Sequence, residues 1–112
     1  MSWSLKGLLV DLLYQLDKTK ANAMFLESFR GPPPTEGSFD RSTILESMIK
    51  YDFEENRDFL RRWYWLSQNR DFGYHPSEAG AILSTLKSTS DETRKLYRQI
   101  TKNPRFVPEV DD

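Results

Sequence analysis

The sequence predicts an all-α protein, a compact irregular bundle of five or six short helices. Three observations carry that prediction. Apolar residues recur at three- and four-residue spacing in successive stretches. No stretch sustains a period of two, and no Asn-Gly or Asp-Gly hairpin signal occurs. Each apolar stretch is bounded by a capping residue, a glycine or a proline.

In the first stretch Leu5, Leu8, Leu9, Leu12, Leu13 and Leu16 share one wide helical stripe, with Ser2 or Ser4 available as its cap. Val10 and Tyr14 extend the apolar arc. A helix of this kind is expected either at the centre of the bundle or across a homodimer contact. A second helix, or a continuation past Lys18, carries Ala21, Met24, Phe25 and Phe29. Gly31 and the prolines Pro32, Pro33 and Pro34 end it. The segment 31–40 reads as a rigid connector.

Asp40 caps a third helix bearing Ile44, Leu45, Met48 and Ile49. Asp52 followed by Glu55 has the spacing of a capping box and opens a fourth, with Phe59, Leu60, Trp63 and Leu66 on one face. Gly73 marks a turn, and Pro76 suits the first turn of a fifth helix with Ala79, Ile82, Leu83 and Leu86. Thr89 with Glu92 is a further capping-box pattern. It opens a sixth helix with Leu96, Tyr97 and Ile100, which stops before Pro104. The organisation expected is one helical domain over 1–104, with the linker 31–40 inside it, and a flexible acidic tail over 105–112.

Composition narrows the function. The chain has 112 residues, no cysteine and one histidine. Disulfides, thiolate metal sites, a cysteine nucleophile and a multi-histidine site are therefore excluded. Glycine-rich phosphate loops do not occur among the five scattered glycines. Glu54 and Asp58 share a helix face, but acids at a helix start complement its dipole, and a hard cation wants about six oxygen ligands. His75 lies close to Asp71 in sequence without a marked nucleophile. No catalytic residue, metal or cofactor is expected.

Charge is unevenly spread. The total is −1, yet residues 57–105 carry ten basic and five acidic side chains. That half is expected to face an acidic surface. The run Arg61-Arg62-Trp63-Tyr64-Trp65 is the most informative segment. Successive residues on a helix point about 100° apart, so its three aromatics cannot share one core. Trp63 belongs inside with Phe59 and Leu66. Trp65 aligns with Asp58, Arg61, Arg62 and Asn69 on a polar face, and Trp, Tyr and Arg dominate binding hot spots.

These readings converge on a non-catalytic helical interaction module: an adaptor, assembly factor or regulatory subunit. It is expected to bind a larger protein through Arg61, Arg62, Tyr64, Trp65, Asn69 and Tyr74, with a homodimer as a variant. The alternative is a nucleic-acid-binding accessory factor using the basic region 57–105. An overall pI near 5.9 speaks against a dedicated DNA binder, as do Asp91 and Glu92 at a would-be recognition-helix start. The Leu8–Leu16 stretch is interrupted by Asp11 and Gln15 and falls short of the roughly 20 residues of a membrane span. It also lacks the features of a signal peptide, so a cytoplasmic location is expected.

Overall fold

The computed structural model describes residues 5–30, 40–68 and 75–102. It contains five helices and, among the described residues, no strand: α1 (Leu5–Leu16), α2 (Lys18–Ser28), α3 (Arg41–Ser67), α4 (Pro76–Thr89) and α5 (Asp91–Lys102). The connector at 31–39, the Gly73 turn and the tail at 105–112 lie outside the described residues.

The long α3 organises the rest. It packs against all four other helices, most extensively against α4. The α1/α2 pair lies against it, as does the α4/α5 pair, and among the described helices the two pairs do not touch each other. The third and fourth helices expected from the sequence are the two halves of α3. They meet at Asp52, whose φ of −150° and ψ of 48° break the helical path. The position expected to open a new helix is thus a kink within one helix.

The helix boundaries follow local chemistry. Asp17 leaves the helical path between α1 and α2, and its carboxylate accepts the Lys20 N–H at 3.1 Å. Asp40 caps α3 by accepting the Ser42 N–H at 3.3 Å. Pro76 begins α4, where its missing N–H costs no helical bond. The expected Thr89/Glu92 box is displaced by one residue. Ser90 Oγ accepts the Thr93 N–H at 3.2 Å, and Thr93 Oγ1 accepts the Ser90 N–H at 2.9 Å. Thr89 ends α4 instead, donating to the Thr85 carbonyl.

The core is drawn from every helix. Ile44, Leu45, Met48 and Ile49 from the first half of α3 are fully buried, as are Leu60 from the second half, Ile82 and Leu86 from α4 and Leu96 from α5. Val10, Tyr14 and Phe25 complete it from α1 and α2. The helical spacing read from the sequence located these positions in α3, α4 and α5 correctly. In α1 the spacing left both sides of the apolar arc as candidates, and Val10 and Tyr14 are the buried ones.

Candidate functional site

The six-leucine stripe of α1 was expected either at the centre of the bundle or across a homodimer contact. The structure turns most of it outward. Leu8 is 38%, Leu9 43%, Leu12 50% and Leu16 81% exposed, and Met24 of α2 is 47% exposed. Among the described leucines of the stripe, Leu13 packs against the core edge. The buried face of α1 is the opposite one, built from Val10 and Tyr14. At about 100° per residue, those two lie roughly across the helix from Leu9, Leu12 and Leu16.

The reason lies in what Tyr14 and Asp11 meet. The Tyr14 ring stacks on Phe25 at 5.7 Å and on Tyr51 at 6.0 Å between centroids. Its hydroxyl donates to Asn22 Oδ1 at 2.9 Å, and Asn56 Nδ2 donates to the same oxygen at 2.7 Å. Asn56 Nδ2 also donates to the Asp52 carbonyl at 2.9 Å. Lys18 Nζ lies 3.8 Å from the buried Asp52 carboxylate. Asp11 accepts the Ser47 hydroxyl at 2.8 Å. A lost hydrogen bond at a buried amide costs about 1–3 kcal/mol, so the bond to Asn22 favours the orientation of α1 that presents Tyr14 inward. Burial, with a smaller contribution from the Asp52 charge, pushes the Tyr14 phenol well above its ordinary range.

The aromatic–arginine segment is only partly a surface. Arg62 is exposed, Tyr64 and Trp65 are half-buried, and Arg61 is buried. The polar face expected around Trp65 therefore loses Arg61 to the interior. Asn69 and Tyr74 lie outside the described residues. Burial raises the Tyr64 phenol above its ordinary value. Trp63 takes the inward place expected of it. Its indole N–H donates to Glu78 at 2.7 Å, and its ring meets Phe29 edge-on at 4.8 Å.

One arginine missed in the sequence, Arg41, places its guanidinium 5.3 Å from the Phe29 ring and 5.5 Å from Trp63. Arg41 is buried and donates to the Ser28 carbonyl, tying the start of α3 to the end of α2. Its position as the first residue of a helix gave no pattern to reveal this. An arginine at a helix start opposes the dipole, and that mismatch is the one sequence signal it offered.

The titratable groups have structural partners. Glu54 pairs with Arg57 at 3.2 Å, and Arg57 also approaches Glu92 at 3.9 Å. Asp58 is exposed. His75 precedes α4, with Nδ1 3.6 Å from Glu78, the carboxylate that already accepts Trp63. Among the described residues, no group of three or more His, Cys, Asp or Glu is placed to hold a metal ion. Among the described residues, the basic side chains of this half are not all free on the surface. Arg61 is buried, Arg94 pairs with Asp91, and Lys87 lies over the Tyr97 ring at 5.9 Å. Lys95, Arg98, Gln99 and Lys102 line one shallow depression on α5.

The arrangement offers two surfaces of distinct chemistry, an uncharged apolar face on α1 and a small basic strip on α5. No described helix is long and apolar enough to cross a membrane. Comparison with protein-family models, with curated proteins and with solved structures gives no match.

Proposed function

We propose that the chain is a non-catalytic helical interaction module, acting as an adaptor, assembly or regulatory subunit. The observation that carries this reading is the apolar face of α1, where Leu8, Leu9, Leu12 and Leu16 stand exposed on a helix whose other face is already packed. Exposed apolar patches of this kind mark interaction sites. The exposed Arg62 and the half-buried Trp65 are a second candidate contact, of residue types enriched at hot spots. The mechanism is steric: the module occupies a partner surface or holds two chains together.

Affinity capture at low and moderate salt, with wild type, Leu12→Glu and Trp65→Ala, tests the reading. A discrete protein that survives the salt step and is lost with Leu12→Glu supports it on the α1 face. Loss with Trp65→Ala alone moves the contact to the aromatic set. Equal retention by all three proteins overturns it.

A second reading rests on the strip of Lys95, Arg98 and Lys102, which suits a polyanion such as nucleic acid. Phosphate contacts release counterions, so this reading predicts affinity that falls steeply with salt. Three cations give a log–log slope no steeper than about −3. Retention of 260-nm-absorbing material that is unchanged in Lys95→Ala/Arg98→Ala removes it.

A further inference from the structure

We infer that the occupant of the α1 face is a second copy of this chain, joined through a leucine seam. The inference rests on the interaction-module reading and names its partner. Leu9, Leu12 and Leu16 are separated by three and four residues, and Leu5 precedes Leu9 by four. That is the alternating four–three spacing of coiled-coil seam positions. The helix is already held by the bundle, so pairing carries no cost of folding α1.

Charge narrows the occupant. From Gly7 to Leu16 the exposed side chains are Leu8, Leu9, Leu12, Gln15 and Leu16. The one acid in that span, Asp11, is turned to Ser47. Two copies of such a face meet without opposing like charges, as an isologous contact requires. A partner recognised by charge finds nothing there to read. An anionic lipid surface draws on several Lys and Arg along the binding helix, and α1 carries one, Lys6.

The exposed leucines amount to about half of what a standard interface takes from each partner, so a dimer draws the remainder from a polar rim. The four leucines leave on the order of 400 Å² exposed, comparable to the largest apolar patch of an ordinary monomer. A standard interface takes about 800 Å² from each partner, with an apolar centre and a polar rim. The leucines supply the centre, and the flanking polar side chains of α1 and α2 supply the rim.

Sedimentation velocity of the full chain across about 1–500 μM tests this, with wild type beside Leu12→Glu and Leu12→Gln. Circular dichroism of each variant checks the fold. The expected result is a wild-type dimer, with dissociation constants raised about 100-fold or more by the glutamate and less by the glutamine. A wild type that stays monomeric overturns the inference. So does a dimer that persists unchanged in Leu12→Glu. If the wild type is monomeric yet captures a discrete protein that Leu12→Glu loses, the second copy is rejected and the interaction module stands. If it is monomeric and capture is insensitive to Leu12, both fall.

Discussion

Two twelve-residue helices, α1 and α5, meet the same core by different means. In α5 the division is simple: Thr93, Leu96 and Ile100 face inward, and Glu92, Lys95, Arg98 and Lys102 face solvent. In α1 both sides are apolar. Val10 and Tyr14 go in, and four leucines stay out. The number of apolar residues on a face therefore does not decide which face is buried. Specific complementarity does. Tyr14 brings two ring contacts and a hydroxyl that satisfies a buried amide. A leucine in its place would leave the buried Asn22 Oδ1 with one donor fewer. The outer leucines of α1 then remain for another surface, whereas α5 has nothing apolar left to offer.

The sharpest way to break the comparison is to truncate one leucine in each helix. Leu96 is fully buried, and Leu96→Ala is expected to cost about 2–5 kcal/mol in urea denaturation. Leu16→Ala, measured at dilution where the chain is monomeric, is expected to change stability by less than about 0.5 kcal/mol. Similar costs for the two would mean that Leu16 is covered within its own chain, and the contrast between the helices would fail.

Next in size is the polar network that sets the rotation of α1. Asn56→Ala leaves the Asn22 side chain with one hydrogen bond fewer in a buried site and is expected to cost about 1–3 kcal/mol. Asn22→Ala should cost a similar amount, and the double variant less than the two added together, because both remove the same bond. Full additivity would show that the two amides do not act as one unit.

A pH measurement sharpens the same point. The folded-state pKa of Tyr14 is raised above the ordinary 10.0, because burial disfavours the phenolate. The unfolded chain therefore releases this proton first. The associated stability is complete below pH 10 and declines as pH rises through the folded-state value. The slope is about 1.4 kcal/mol per pH unit for one proton. Tyr64 is shifted in the same direction, so part of the alkaline loss belongs to it. Tyr14→Phe should lower stability at neutral pH through its lost bond to Asn22, yet flatten the decline above pH 10. An unchanged alkaline slope in Tyr14→Phe would place the phenol in water and remove the reason for the inward face of α1.

Much of the fold was legible in the sequence. Ile44, Leu45, Met48 and Ile49, then Leu60, Ile82, Leu86, Leu96 and Ile100, were marked by helical spacing and are buried. The break at Asp52 was legible as well, though as a helix start rather than a kink. Periodicity says which residues share a face. It does not choose between two apolar faces, and so it left the α1 stripe open between the bundle centre and a homodimer contact. The surface around Trp65 was legible only in part. Arg61 is one turn before Trp65 in sequence but is drawn under the bundle, a matter of tertiary packing. The arginine–aromatic stack formed at Trp63 with Arg41, residues more than twenty positions apart, and no local pattern links them.

The smallest predicted effect separates two capping assignments one residue apart. Thr89 with Glu92 and Ser90 with Thr93 have the same spacing, so sequence alone favours the pair whose second member is a glutamate. In the structure the reciprocal bonds belong to Ser90 and Thr93, and the Thr93 hydroxyl also donates to the Leu86 carbonyl at 2.7 Å. That last bond explains the choice. A buried threonine can close the cap of α5 and serve a carbonyl near the end of α4 at once, which an exposed glutamate cannot do. Ser90→Ala is therefore expected to cost about 1 kcal/mol. Glu92→Ala loses surface pairs with Lys95 and Arg57 and should cost no more than about 0.5 kcal/mol. The opposite ranking in thermal or urea unfolding would return the cap to Thr89 and Glu92. It would also remove the hydroxyl link between α4 and α5 that lets α5 bury Leu96 and Ile100 while showing a mostly charged outer face.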